Sequence, residues 1–297
     1  AWKVDGRWET ALDVSCPEAA RVVLLNPNLM EFDYVLGTSP RCNGGYFEFS
    51  SEGLPVSNKA ERYFWPLRIF VISLLQNRTY PLWQRLTILG LFCQALEQLT
   101  DPKDIPVVIE QYTNYITQGA LREELELIPT KDDVQLDLFG QLMGLRLDAG
   151  SITLRFFECV SRVKTAIAPE DGMSRDVVVD NFKQALDSYY LPVMADREYI
   201  LENYLVNYVF KNAFPFRGQG VFADYVMLAM HYAIIKMMLI GLAGYYKNKF
   251  SLEHIIQLIY SFSRTIEHHR YYLGSAYKML VENNLNTMAC MAVLIRN

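Results

Sequence analysis

The chain has 297 residues, of which 51% are hydrophobic, 13% aromatic and 21% charged. This composition supplies a substantial apolar core and excludes intrinsic disorder as the organising principle. The formal net charge of −5 at pH 7 gives no electrostatic attraction to nucleic acid, and no basic run is long enough for a membrane-surface patch. We therefore expect a folded protein with no nucleic-acid partner and no membrane partner.

A hairpin and a short helix are the first predicted elements. Asp5-Gly6 lies between two runs that carry tryptophan and valine, a pattern typical of a tight β-turn. Ser15 and Glu18 have the spacing of a capping box, and Pro17 suits a first helical turn. The sequence "SCPEAARVVLLNP" therefore predicts a helix that begins beside a cysteine.

That cysteine, Cys16, would lie at the positive end of the helix, where a thiolate is stabilised. Its residue type leaves open a metal or cluster ligand, a reactive thiol and a small residue in a capped helix. The other cysteines are scattered, with no CxxC and no Cys/His pair at zinc spacing; they are Cys42, Cys93, Cys159 and Cys290. We expect no disulfides, and a reducing cytoplasm is the natural setting.

The chain changes character near residue 59. Residues 36–58 are rich in Gly, Pro, Ser and Asn, and the alternating run Tyr46–Phe49 indicates a second small hairpin in a loop. The pattern predicts an N-terminal hairpin, helix and loop region over 1–58 and a helical domain over 59–297, with a possible sub-boundary near 148–151.

Helical periodicity dominates the second region. Apolar residues recur at Tyr63, Leu67, Phe70 and Leu74, and the short break before Pro81 predicts two antiparallel neighbouring helices. Later helices are predicted to begin near Ile105, Lys131, Ser151, Val177, Arg197, Val221, Ser251 and Tyr271. The predicted fold class is all-α, as a multi-helix bundle or an irregular α-solenoid with a small N-terminal β-hairpin region.

Local signals refine the predicted helices. Thr130 with Asp133, and Ser251 with an acidic residue in the next turn, are plausible N-terminal caps. Gly140 and Gly144 lie four residues apart on one helix, which predicts a close helix crossing.

One run is long and apolar enough to resemble a membrane span, but it contains ionisable residues. Val221–Ala243 contains Asp224, His231 and Lys236. We therefore predict a buried helix of a soluble protein.

Polar side chains interrupt another apolar helix, "LENYLVNYVFKNAFPFRGQG". Asn203 and Asn207 share one face, and Tyr204 and Tyr208 lie on the adjacent one. Buried amides need hydrogen-bond partners, so the row is either an interhelical polar network or the lining of a pocket. Arg217 follows in a glycine-rich loop, where it either meets an anion or is solvated.

A second polar row occurs in "YSFSRTIEHHRYYL". Arg264 and His268 are one turn apart, as are Ser263 and Glu267. A local salt bridge between Arg264 and Glu267 or His268 is favoured over a ligand site. No GxSxG elbow, P-loop, strand-linked GxGxxG or parallel-sheet methyltransferase pattern is present in the sequence.

Four segments together resemble one family in order and spacing, over essentially the whole chain. They are "SCPEAARVVLLNP", "NRTYPLWQRLTILGLFCQ", "LENYLVNYVFKNAFPF" and "SRTIEHHRYYL", and they look like the bacterial flagellin lysine-N-methylases. The resemblance implies methyl transfer from S-adenosylmethionine to lysine side chains of flagellin in the cytoplasm.

The resemblance also implies an iron–sulfur cluster. The family places a cysteine-rich segment upstream of the "SCPE" helix, which this sequence does not include, so Cys16 is the one cysteine here that matches a late cluster ligand. Since a [4Fe–4S] cluster usually needs four thiolates, we expect this chain not to assemble one alone.

Lysine methylation needs a neutral amine and a group that orients it or accepts its proton. The predicted catalytic residues are Tyr204, Tyr208 and Glu202, and the predicted cofactor-binding residues are Asn203, Asn207, Arg217, Arg264 and His268. The alternative is a non-catalytic helical module that recognises flagellin or another protein.

Overall fold

The computed structural model describes residues 2–31, 47–49, 61–216 and 220–296. Its internal contacts group the chain into two units. Unit 1 consists of Ala1–Leu12, Asn28–Ile128 and Glu202–Leu228, and unit 2 consists of Asp13–Pro27, Pro129–Leu201 and Ala229–Asn297. The predicted sub-boundary at residues 148–151 falls inside unit 2, and the predicted boundary after residue 58 lies outside the described residues.

Unit 1 begins with the predicted hairpin. Strands β1 (Trp2–Val4) and β2 (Arg7–Glu9) pair antiparallel. Asp5 and Gly6 connect them with φ angles of 49° and 75°, in the left-handed region that a tight hairpin turn requires. A third strand, β3 (Phe47–Phe49), pairs parallel with β1. Any partner strand for the predicted second hairpin lies outside the described residues.

Helices form nearly all of the rest of the described chain. The first seven are α1 (Pro17–Leu24), α2 (Phe64–Leu75), α3 (Leu82–Glu97), α4 (Ile105–Gln118), α5 (Arg122–Glu126), α6 (Asp132–Asp148) and α7 (Leu154–Ile167). The others are α8 (Arg175–Ala185), α9 (Leu191–Met194), α10 (Tyr199–Lys211), α11 (Val221–Tyr246), α12 (Leu252–Phe262), α13 (Arg270–Glu282) and α14 (Met288–Ile295).

This architecture confirms the all-α prediction with a small N-terminal hairpin. The eight predicted starts from Ile105 onward each lie within three residues of an observed helix start, whereas α5, α9 and α14 were not predicted. In unit 1, α2, α3 and α4 pack against one another. In unit 2, α6 packs on α8, α13 and α14, while α12 packs on α1 and α7. Two π-helical turns interrupt unit 2, at Leu186–Tyr190 and Ser263–Glu267.

Two of the three predicted helix N-caps are wrong, and the third is confirmed with a different partner. The N-cap of α1 is Cys16, one residue later than predicted and without a side-chain cap, and the backbone N–H of Ser15 donates to the Asp13 carboxylate. The N-cap of α6 is Lys131, so Thr130 does not cap it. Ser251 does cap α12, but its capping-box partner is the imidazole of His254.

The close helix crossing occurs at other glycines than predicted. Open space surrounds Gly140 and Gly144. In unit 2, by contrast, a Cβ on Gly241 would lie 2.6 Å from Val163, and one on Gly244 would lie 2.7 Å from Ala185. The apolar face of α11 is therefore the surface on which α7 and α8 approach most closely.

The described chain contains one helical stretch, Val221–Lys249, with the length and mean hydropathy (1.8) of a membrane span. Its most apolar window is 94% buried inside the protein. A core helix of a globular protein passes the same test, and this burial agrees with the predicted buried helix.

Candidate functional site

The polar row on α10 is deeply buried, as its apolar surroundings in the sequence predict. Glu202 and Asn203 have no exposed surface, and Tyr204 and Asn207 are 1% and 6% exposed. Tyr208 is half-buried. These five residues belong to unit 1. Polar atoms buried this deeply need hydrogen-bond partners.

Glu202 has two guanidinium partners. Its carboxylate accepts from Arg78 Nε and Nη2 at 3.0 and 2.8 Å, and from Arg85 Nη1 at 2.6 Å. Arg85 also donates to the carbonyl of Leu75 at 2.5 Å. Charge-assisted, forked bonds of this kind fix the position of a carboxylate. As a catalytic base Glu202 stays a prediction; its geometry is that of a counter-ion for two arginines.

The amides and phenols of α10 have a looser arrangement. Asn207 Nδ2 donates to the carbonyl of Leu12 at 3.1 Å, and this is its one hydrogen bond within the described part of the chain. Its Oδ1 atom thus keeps its acceptor capacity. The rings of Tyr204 and Tyr208 have centroids 6.4 Å apart. The structure therefore brings one amide oxygen and two phenols to the same helix.

A second buried ion pair anchors the end of α10. Arg68 Nε and Nη2 donate to the two carboxylate oxygens of Glu9 at 2.9 and 2.8 Å. Its Nη1 atom donates to the carbonyls of Val209 and Phe214 at 3.0 and 2.9 Å. Burial raises the pKa of the Glu9 carboxyl and lowers the pKa of Arg68. The ionic contact acts against burial, because Arg68 lowers the pKa of Glu9 and Glu9 raises the pKa of Arg68. Desolvation thus outweighs attraction in this pair.

These arginines were missed by the sequence analysis. Arg68 and Arg85 are each the one charged residue in a mostly apolar helical run, "FWPLRIFVISLL" and "LWQRLTILGLF". A lone cation on a buried helix requires a distant carboxylate. That signal was available in the sequence, although it does not identify the partner.

The second predicted polar row belongs to unit 2 and is mostly solvent-accessible. Arg264 and His268 are exposed. His268 Nε2 lies 3.6 Å from Asp13 Oδ2, and Ser263 Oγ donates to Glu267 at 2.8 Å. The predicted salt bridge of Arg264 with Glu267 or His268 is absent from the described residues, because these two side chains turn to other partners. Arg217 lies outside the described residues.

The described cysteines do not fit a four-thiolate cluster. Cys16 and Cys290 are at least partly accessible, while Cys93 and Cys159 are buried. Burial raises the pKa of Cys159 to about 11 and raises that of Cys93 well above its ordinary value. Within residues 2–31, 47–49, 61–216 and 220–296, no group of three or more His, Cys, Asp or Glu side chains is placed to hold a metal ion. Cys42 lies outside these ranges, Cys16 stays a predicted ligand, and no step below involves a cluster.

Unit 2 contains a cavity of about 360 Å³, a size that suits a small molecule. Its polar lining comes from α7, α8, the neighbouring π-turn and the region around the end of α11, and it includes Thr165, Asn181, Gln184, Tyr189, Tyr245 and Lys247. None of the predicted site residues lines it. Sequence periodicity could not have found it, because its lining residues look like ordinary solvated positions.

Comparison with known proteins gives one family. A family model described as the FliB lysine N-methylase C-terminal domain matches residues 68–294. No curated protein and no solved structure gives a significant match.

Proposed function

The chain belongs to the FliB lysine N-methylase family, and we propose from this premise that it methylates lysine side chains of flagellin in the cytoplasm, with S-adenosylmethionine as methyl donor. The observation that carries the proposal is the family match over residues 68–294. It covers α10 together with most of both units, so the match extends well beyond a single motif.

The reaction is an in-line displacement at a sulfonium methyl group, which S-adenosylmethionine supplies when bound. A bond forms between the lysine nitrogen and the methyl carbon, the carbon–sulfur bond breaks, and a proton leaves the methylated nitrogen. With an ordinary pKa near 10.4, only about one lysine in a thousand is neutral near pH 7.4. The protein must therefore orient an amine and favour its uncharged form.

The α10 row supplies groups of the required kind. Asn207 Oδ1 keeps an acceptor position for an amine N–H, and the Tyr204 and Tyr208 phenols lie on the same helix. We assign orientation of the target amine to Asn207 and Tyr208. Asn203 shares their helix in unit 1, whereas the other described candidates for donor binding, Arg264 and His268, belong to unit 2.

A methyl-transfer assay tests the proposal. The chain is incubated with flagellin and S-adenosylmethionine labelled in the methyl group, and the modified lysines are mapped by mass spectrometry. We expect label on flagellin lysines, a loss of about tenfold or more in Asn207→Ala and Tyr208→Phe, and full activity in Tyr271→Phe, whose side chain is 75% exposed. Flagellin binding without any methyl transfer would reject the enzyme and leave a recognition module.

A further inference from the structure

Arg146 is a buried cation of unit 2 that the proposed chemistry does not use. It lies in the last turn of α6 and is 1% exposed. Its Nε atom donates to the carbonyl of Thr265 at 3.0 Å, and its Nη2 atom donates to the carbonyl of Ser151 at 2.9 Å. Within the described residues, it forms no ion pair with a carboxylate. The arginine is thus held in place by neutral groups alone.

This guanidinium has more N–H donors than the described residues around it offer as acceptors. An arginine carries five N–H donors and no acceptor, and the two carbonyls occupy one donor on each of two nitrogens. The Nη1 atom is fully buried and has no hydrogen-bond partner within the described residues. Burial lowers the pKa of Arg146, yet an arginine cannot lose its proton in a protein. The positive charge and its free N–H groups therefore remain.

A buried phenol accompanies the guanidinium. The Tyr272 ring has its centroid 6.0 Å from Arg146 Cζ, and Tyr272 has no exposed surface. Its hydroxyl is also buried without a hydrogen-bond partner in the described part of the chain. Asp148, the nearest carboxylate in sequence to Arg146, is exposed, and Glu267, the nearest in sequence to Tyr272, accepts a hydrogen bond from Ser263. Two neighbouring buried side chains thus keep N–H and O–H donors that have no partner in the described residues.

We propose that Arg146 and Tyr272 form a binding site for a carboxylate group. An ionised carboxylate is an acceptor-only ligand with two oxygens, which matches the forked N–H groups of Nη1 and one phenolic O–H. It also neutralises the one buried arginine of unit 2 that makes no ion pair in the described residues. A water molecule would satisfy one or two donors but would leave the charge.

The fold provides a way in. The segment that supplies the Ser151 carbonyl joins α6 to α7, and Ser151 and Thr153 are exposed. Thr153 and Thr265 share a hydrogen bond between their hydroxyls, 2.8 Å apart. The guanidinium therefore lies directly beneath an exposed connection. A ligand reaches it by taking the place of the Ser151 carbonyl and breaking the hydrogen bond between Thr153 and Thr265.

The carboxylate has two possible sources, and the test separates them. One is the amino-acid end of S-adenosylmethionine, which rests on the proposed function; the other is a free carboxylate. Calorimetric titrations of S-adenosylmethionine and of its decarboxylated analogue are compared with melting temperatures in sodium acetate and in sodium chloride at equal ionic strength. The proteins are wild type, Arg146→Met, Tyr272→Phe and the matched control Tyr225→Phe, another fully buried phenol.

Binding of S-adenosylmethionine that weakens about tenfold or more in Tyr272→Phe and Arg146→Met, but not in Tyr225→Phe, supports the site and identifies the donor. The decarboxylated analogue should then bind wild type as weakly as the intact donor binds the variants. Stabilisation by acetate in wild type alone supports the site with a free carboxylate, even if the methyl donor does not bind. If neither probe distinguishes wild type from Tyr272→Phe, the proposal is overturned.

Discussion

Unit 1 and unit 2 both bury arginine, but they neutralise it in different ways. In unit 1, Arg68 and Arg85 each face a buried carboxylate at hydrogen-bond distance. In unit 2, Arg146 faces two backbone carbonyls and an aromatic ring. The comparison separates cations that complete the fold from a cation that is available to a ligand. The two arginines of unit 1 are neutralised by carboxylates of the same chain.

A buried lysine of unit 2 shows a third solution. Burial lowers the pKa of Lys236 from 10.5 to about 8, although Glu198 acts to raise it. A lysine can thus respond to desolvation by losing its proton, which an arginine cannot do. This difference is why Arg146, and not Lys236, indicates an anion site.

The largest expected effect tests the compensated pair of unit 1. Glu202→Gln removes the carboxylate that Arg85, 1% exposed, contacts at 2.6 Å, and we expect a loss of about 3–5 kcal/mol in the free energy of unfolding measured by urea titration. The matched variant Arg78→Gln removes the partner whose side chain is 38% exposed and should cost no more than about 1 kcal/mol. Equal losses in the two variants would mean that exposure does not decide the value of these charges.

The lysine gives the next effect, and it depends on pH. Below pH 8 the ammonium is present in both states, so its burial penalty is fully present. Between about pH 8 and 10.5 the unfolded chain holds a proton that the folded chain has lost, so stability rises with pH. Lys236→Met should therefore gain up to about 3 kcal/mol at pH 7 and show a smaller slope over that window.

Lys249→Met is the control for this experiment, because Lys249 is exposed and should leave both stability and slope unchanged. If stability rises with pH equally steeply in wild type and in Lys236→Met between pH 8 and 10, the lowered pKa of Lys236 is contradicted.

A smaller effect is expected at the second ion pair of unit 1. Glu9→Gln removes the counter-ion of Arg68, which keeps the carbonyls of Val209 and Phe214, so we expect a loss of about 2–3 kcal/mol in chemical unfolding. Because desolvation outweighs attraction in this pair, replacing both residues by methionine should recover part of that loss. A double variant less stable than Glu9→Gln would show that the pair is a net stabiliser.

Local patterns predicted the elements better than the contacts between them. Asp5-Gly6 predicts the hairpin because two positive φ angles suit few other residues, and apolar periodicity predicts the helices because burial selects one face. The Glu9–Arg68 and Arg85–Glu202 pairs join residues 59 and 117 positions apart. Periodicity within one helix carries no information about such partners.

The candidate site shows the same limit. Burial of Asn203, Tyr204 and Asn207 followed from the apolar composition of α10. The contact of Glu202 with two arginines could not be predicted in this way, because a carboxylate on a helix looks the same in sequence whether it is a base or a counter-ion. The glycine pair failed for a related reason: spacing cannot tell an exposed glycine such as Gly140 from one packed on a neighbour.

The most direct test compares two arginines that are equally buried. Arg85→Met should lose about 3 kcal/mol or more in the free energy of unfolding, because it leaves Glu202 with one partially exposed partner. Arg146→Met, measured in the same carboxylate-free buffer, should stay within about 1 kcal/mol of wild type, because two lost hydrogen bonds are offset by removal of a desolvated charge. A loss in Arg146→Met as large as that in Arg85→Met would contradict the account, since it would make Arg146 a fully compensated structural residue.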